Sequence, residues 1–219
     1  MKKKFLALLL LQFLIFNISN SEWTHSNKNF NSTRLSELNE ISKDNINKLE
    51  QVWIYNSGSI KKKNTVQSTP IFTGNYLIIS TLHGEIHAIK PDDGTLVWKT
   101  KLQAPVGRRG FVYSDGVIFV PTRKGVVAIK EKDGSIDTEI GSKGYFGQDI
   151  SLVPPIIFKN KIFIATLNNG INSYNINDGS LNWIREISPK KIAPSDGKIR
   201  IWSGFSFDEV TNTLFAVTS

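Results

Sequence analysis

A segment of about 28 residues recurs three times in this chain of 219, and the recurrence constrains the fold more tightly than any single residue does. The copies are Pro70 to Trp98 (PIFTGNYLIISTLHGEIHAIKPDDGTLVW), Phe111 to Thr138 (FVYSDGVIFVPTRKGVVAIKEKDGSIDT) and Pro155 to Trp183 (PIIFKNKIFIATLNNGINSYNINDGSLNW). Each consists of an apolar strand, a short polar turn, an alternating strand, a G-x-hydrophobic turn and a third alternating strand. Asp-Gly and a final strand carrying Trp or its substitute complete it. This pattern predicts one four-stranded blade of a β-propeller.

The spacing agrees with blade length. Trp53, Trp98, Thr138 and Trp183 follow one another at about 45, 40 and 45 residues. Alternation in Tyr76-Leu77-Ile78-Ile79 and Ile162-Phe163-Ile164 suits strands packed face to face, and the pairs Asp93-Gly94, Asp133-Gly134 and Asp178-Gly179 supply hairpin turns. Helical periodicity is nearly absent. The exception is Arg34 to Leu49, where Ser42 is placed to cap a turn before Ile46 and Leu49.

The predicted fold class is therefore all-β, a partial propeller over residues 22–219 with three blades and the opening strand of a fourth, Thr213 to Ser219. A closed ring has four to eight blades, because closure covers the edges of the first and last sheets. The chain is thus expected to be the N-terminal part of a longer protein, with Leu49 to Tyr55 (LEQVWIY) as the outermost strand of the ring's last blade. Alone it is expected to be poorly soluble or oligomeric.

Residues 1–21 carry the marks of a secretory signal. Lys2, Lys3 and Lys4 precede the apolar run Phe5 to Phe16, and Ser19 and Ser21 offer small residues for cleavage. A membrane anchor is the alternative, but about 12 apolar residues fall short of the roughly 20 that span a bilayer. The mature chain is expected to have no transmembrane segment and to be periplasmic. The three lysines leave with the leader, which takes the formal charge from +8 to about +5.

That charge does not predict a nucleic-acid partner, since Lys61-Lys62-Lys63 and Lys190-Lys191 are short runs without interleaved aromatics. The chain has no cysteine, so a disulfide, a thiolate metal site, a Cys nucleophile, a C-x-x-C-H haem attachment and a lipidated cysteine are all excluded here. His83 and His87 would share a face on a helix, but a strand–turn–strand segment gives their spacing no ligand meaning. No G-x-S-x-G or GxxxxGK[ST] element is present.

The motifs between the repeats resemble the quinoprotein dehydrogenases, eight-bladed propellers that hold pyrroloquinoline quinone (PQQ). Trp23-Thr24-His25 with Arg34 to Ile41 (RLSELNEI) is similar to the family's opening "W…H…RYSPLDQIN", and Asn45 to Tyr55 is similar to "NVKNLKVAWTY". Gln67-Ser68-Thr69-Pro70 matches "QSTP", Arg108-Arg109-Gly110 matches "RRG", and Val153-Pro154-Pro155 approximates "TSPP". Trp202 to Asp208 (WSGFSFD) resembles the family's "W-x-x-x-S-x-D" segment. The resemblance spans essentially the whole mature chain.

It implies PQQ as cofactor, with a divalent cation such as calcium, and cofactor contacts from Gln67, Arg109 and Trp202. PQQ is a flat tricarboxylate with an ortho-quinone, so these residue types suit it. A guanidinium forks onto a carboxylate, an amide meets the quinone edge, and an indole is a broad floor for a planar ring. Each has a plainer alternative: Arg109 in a surface ion pair, Gln67 on an exposed strand edge, Trp202 as a blade-core aromatic. Arg108 stands where methanol-oxidising members carry part of an adjacent-cysteine pair.

Two departures favour a sugar- or alcohol-oxidising type over the methanol type. Leu152 or Val153 replaces a hydroxyl-bearing cofactor contact, and the loop Leu167-Asn168-Asn169-Gly170 lacks the acid that binds calcium in methanol-type enzymes. The resemblance implies oxidation of a sugar or alcohol, with electrons passing to a quinone or cytochrome. The family's metal-ligand asparagine would follow Ser219 directly and its catalytic aspartate lies beyond, so this chain offers no catalytic residue or metal ligand and is expected to be inactive alone. The rival from another class is a non-catalytic envelope scaffold with a PQQ-like propeller; a split or decayed gene product is a third.

Overall fold

The computed structural model describes residues 23–58, 67–81, 84–167, 170–187 and 201–218. The leader 1–21, both lysine runs, His83, Asn168, Asn169 and Ser219 lie outside the described residues. Three four-stranded antiparallel meanders follow one another along the chain. The first blade comprises β1 (Ile71–Phe72), β2 (Leu77–Ser80), β3 (Glu85–Ile89) and β4 (Leu96–Lys101). The second comprises β5 (Val112–Ser114), β6 (Val117–Thr122), β7 (Gly125–Lys130) and β8 (Tyr145–Phe146), and the third β9 (Ile156–Phe158), β10 (Lys161–Ala165), β11 (Gly170–Asn175) and β12 (Leu181–Glu186). A hairpin of β13 (Ser206–Asp208) and β14 (Thr213–Phe215) begins a fourth.

The period-2 pattern works on both faces of each inner sheet. In β6, Ile118 and Val120 pack toward the first blade while Phe119 packs toward the third. In β7, Val127 and Ile129 take the first face and Val126 and Ala128 the second. Strands buried on both sides read as continuous apolar runs, and face-to-face stacking of such sheets makes one core between each pair of blades.

Tryptophans lock neighbouring blades through one repeated contact. Trp53 Nε1–H donates to Pro91 O at 2.9 Å, and Trp98 Nε1–H donates to Glu131 O at 2.7 Å. Each acceptor carbonyl stands three residues before the glycine of an Asp-Gly turn, and the indole covers that glycine. A Cβ at Gly94 would lie 2.7 Å from Trp53 Cε3 and one at Gly134 would lie 2.5 Å from Trp98 Cε3. Both glycines sit at positive φ, +72° and +73°, as the hairpin turn between the third and fourth strands requires. Its shape recurs three times: Lys90 N to Thr95 O, Lys130 N to Ser135 O, and Asn175 N to Ser180 O, at 2.9, 2.8 and 2.9 Å.

The second blade departs from the sequence pattern. Thr138 does not stand in for tryptophan: after a single bridge at Ile136 the chain turns away and the closing strand forms later, at Tyr145–Phe146. The backbone N–H of Gly141 takes the indole's place and donates to Ile176 O at 2.8 Å, the carbonyl three residues before Gly179. A small backbone donor does this work because Phe146 fills the space beside it.

One further expectation is corrected. Thr213 begins the second strand of the fourth blade, the opening strand being Ser206–Asp208. Leu49 to Tyr55 forms no ladder with described residues, although its alternation persists: Val52 and Ile54 are exposed while Trp53 and Tyr55 pack inward. Over Arg34 to Leu49 there is one 3-10 turn, Ile46–Lys48, and Ser42 supports it by accepting from Ile46 N through its carbonyl and from Asp44 N through Oγ.

Residues 23–30 cross the first strands of the blades. Trp23 exchanges backbone hydrogen bonds with Phe72 of β1, Tyr113 N of β5 donates to Thr24 O, and Phe207 N of β13 donates to Phe30 O. The segment binds blades one, two and four together, and Phe30 meets Phe158 and Phe207 edge-on at 6.0 and 6.2 Å.

Candidate functional site

The loops preceding the first strands of the four blades converge on one cavity of about 300 Å³. Gln67 and Thr69 lead into β1, Arg109 and Phe111 into β5, Pro154 and Pro155 into β9, and Ser203 and Phe205 into β13. The remaining wall is the N-terminal loop from His25 to Arg34. The described residues lining it include two arginines and no aspartate or glutamate, so its field attracts anions.

Two of the three sequence-selected residues line this cavity, Gln67 and Arg109. The third, Trp202, precedes the lining residues Ser203 and Gly204. Its ring lies under the Arg109 guanidinium, with Cζ 5.7 Å from the ring centroid, and is 52 % exposed. A planar cation over an indole face is attracted by the ring's quadrupole. Trp202 is therefore not a blade-core aromatic, and Arg109 has no ion-pair partner among the described residues. Arg108 is exposed and does not line the cavity.

Gly110 explains the third residue of Arg-Arg-Gly. Its φ is +112°, and a Cβ there would collide with Ser26 Oγ, so glycine lets the N-terminal loop close against the strand. Leu152 and Val153 bring no hydroxyl to the cavity, whose hydroxyl-bearing lining residues are Ser26, Ser32, Thr69 and Ser203. Val153 is buried in the apolar core between the third and fourth blades, and Ser151 Oγ is engaged with Ile201 O at 3.1 Å.

Sequence reasoning missed the N-terminal wall. His25 Nδ1 hydrogen-bonds Thr24 Oγ1 at 2.8 Å, and its ring meets Phe30 edge-on at 4.9 Å. Burial lowers its pKa to about 4, which keeps it neutral at neutral pH. His25 Nε2 and Ser26 Oγ are buried without a partner in the structure. Arg34 lines the same cavity, with Nε–H donating to Asn27 Oδ1 at 2.9 Å. The available signal was the density of Asn and Ser between His25 and Arg34, which marks a structured polar loop.

His87 serves elsewhere. Its Nδ1 lies 2.8 Å from Tyr55 OH and its Nε2 3.4 Å from Glu85 Oε2, tying the N-terminal segment to the first blade. Its pKa is lowered chiefly by burial, against the opposing influence of Glu85.

Stacked four-stranded antiparallel meanders, with the loops that enter each blade meeting at one cavity, define a partial β-propeller. The family model described as the PQQ "Glucose/ethanol/alcohol dehydrogenase, beta-propeller domain" matches residues 23–147, and the chain belongs to that family. Among curated relatives it is 23% identical over 185 residues to the lanthanide-dependent methanol dehydrogenase of Methylacidiphilum fumariolicum, covering 74% of this chain and 30% of that protein. To the quinoprotein glucose dehydrogenase of Escherichia coli it is 22% identical over 230 residues, covering 82% and 29%. A solved europium-containing methanol dehydrogenase superposes with a TM-score of 0.70 at 18% identity, over 91% of this chain and 42% of that one. The chain thus spans about a third of the length of these curated relatives.

Proposed function

We propose that this chain forms the cofactor-holding part of a periplasmic PQQ-dependent dehydrogenase that oxidises a sugar or alcohol and passes electrons to a quinone or cytochrome. The observation that carries the proposal is the Arg109 guanidinium over the exposed Trp202 face, at a cavity with no carboxylate among its described lining residues. A flat polycarboxylate needs those features: a fixed cationic fork, a broad apolar surface and no competing acid.

Bound PQQ would supply a quinone able to take two electrons from the alcohol carbon. Arg109 would clamp one carboxylate, Trp202 would lie against the ring plane, and Gln67 would offer its amide to a polar edge. The divalent cation does not fit the described residues, which contain no group of three His, Cys, Asp or Glu able to hold it. Nor does a described residue of the cavity provide a carboxylate base for an alcohol proton.

Titration of the purified chain with PQQ, followed by tryptophan fluorescence and calorimetry, tests the proposal. Saturable quenching that Arg109→Gln weakens at least tenfold is expected. A chain that folds and binds no PQQ at millimolar concentration overturns it.

A further inference from the structure

We propose that Arg34 is a second carboxylate-binding residue of the cavity, held in place by Asn27, so that the cavity selects ligands with carboxylates on more than one edge. The inference rests on this cavity being the ligand site and adds an anchor from the N-terminal loop, independent of the blades. Two observations support it: the way Arg34 is built, and what it lacks.

The loop is tightly constructed. Lys28 N donates to His25 O at 2.9 Å, Ser32 N to Asn29 O at 3.0 Å, and Thr33 N to Asn29 Oδ1 at 3.2 Å. Lys28, Ser32 and Arg34 adopt φ of 78°, 55° and 52°, a left-handed region that non-glycine residues seldom occupy. Three such residues within one short wall concentrate strain at the cavity. Arg34 is fixed twice by the same neighbour: its backbone N–H donates to Asn27 O at 3.3 Å and its Nε–H to Asn27 Oδ1 at 2.9 Å. The side chain is thereby oriented before any ligand arrives.

Arg34 has no counter-charge among the described residues. The nearby acid Glu37 pairs with Lys28 at 3.8 Å, and no ion pair involves Arg34 among the described residues. An arginine carries five N–H donors, and the Asn27 bond uses one of them. Two guanidiniums thus line one acid-free cavity, each positioned by a different partner, Asn27 for Arg34 and the Trp202 ring for Arg109. Like charges sharing a cavity repel, and a ligand bearing two carboxylates relieves both at once. The carboxylate that meets Arg34 can come from the cofactor or from a hydroxy-acid substrate.

Calorimetric titration of wild type, Arg34→Gln, Arg34→Lys and Arg109→Gln distinguishes the outcomes. The probes are PQQ, benzene-1,3,5-tricarboxylate, benzoate, and the pair lactate and propane-1,2-diol. Arg34→Gln is expected to weaken PQQ and the tricarboxylate roughly tenfold while changing benzoate by less than about threefold, and Arg34→Lys should recover part of the loss. If PQQ affinity is unchanged but lactate loses its advantage over propane-1,2-diol, the proposal stands and the carboxylate belongs to the substrate. If wild type binds the tricarboxylate through Arg34 and does not bind PQQ, the inference survives and the cofactor reading falls. Equal weakening of every probe with a lowered melting temperature makes Arg34 structural and overturns the inference. So does unchanged binding of all probes while Arg109→Gln weakens them, and wild type that binds none overturns both proposals.

Discussion

The Arg109 guanidinium lies 5.7 Å from the centroid of the Trp202 ring, joining the loop that enters the second blade to the loop that enters the fourth. The prolines between them, Pro154 and Pro155 of the third blade, line the same cavity. Residues nearly a hundred positions apart in sequence thus form one surface, held by the stacking of the second and third blades between them.

That pairing should be measurable as coupling. Trp202→Leu removes the cation–π contact and the flat surface together, and PQQ binding by the chain should weaken by roughly tenfold. In a double-mutant cycle with Arg109→Gln, a coupling of about 0.5–2 kcal/mol is expected. Strictly additive losses would show that the two residues act independently.

The glycine beneath Trp98 should be far less tolerant than a glycine in open space. Gly134 and Gly116 have nearly equal φ, +73° and +79°, yet a Cβ at Gly134 would press on Trp98 and one at Gly116 would meet nothing within 4 Å. Gly116→Ala should cost about 1 kcal/mol and Gly134→Ala at least 1 kcal/mol more in urea unfolding. Equal costs would rule out the indole contact as the determinant.

Glu131 is a buried carboxylate that ties the first two blades through its side chain as well as its backbone. Oε1 accepts from Asn75 Nδ2 at 3.2 Å and Oε2 from Tyr113 OH at 3.0 Å. Glu131→Leu removes both hydrogen bonds and should destabilise the chain by roughly 1–2 kcal/mol. Unfolding midpoints within 0.5 kcal/mol of wild type, on an order-of-magnitude scale, would contradict this account.

Acid should weaken the fold through His25. Its folded pKa is about 4 against an ordinary value of 6.5. Above pH 6.5 both folded and unfolded forms are neutral and the group has no pH effect. As pH falls from 6.5 toward 4 the unfolded chain takes up a proton that the buried ring refuses, so stability declines by up to about 1.4 kcal/mol per pH unit and levels off below the folded pKa. His25→Phe, which keeps a ring against Phe30, should flatten melting temperature over that window relative to wild type.

Much of the blade was legible in one dimension. Alternating apolar residues, the Asp-Gly turns and the tryptophan period depend on contacts within about 30 residues and therefore leave a local signature. The second blade shows where this fails. Thr138 occupies the tryptophan's sequence position, but the docking contact requires only a donor aimed at Ile176 O, and Gly141 N–H supplies it. A backbone donor has no side chain by which sequence could reveal it.

The cavity followed the same division. Motif resemblance marks Gln67, Arg109 and Trp202, while nothing local marks Arg34 and Asn27, whose place at the cavity depends on where the N-terminal loop crosses the blades. The sequence alone determined the repeat, the strand periodicity and the residue types available to a carboxylate ligand, since these follow from local steric and hydrophobic preferences. Tertiary structure decided which of those residues meet. Stacking the sheets around an axis brought four blade loops and the N-terminal segment to one cavity, and no local pattern encodes distances across that axis.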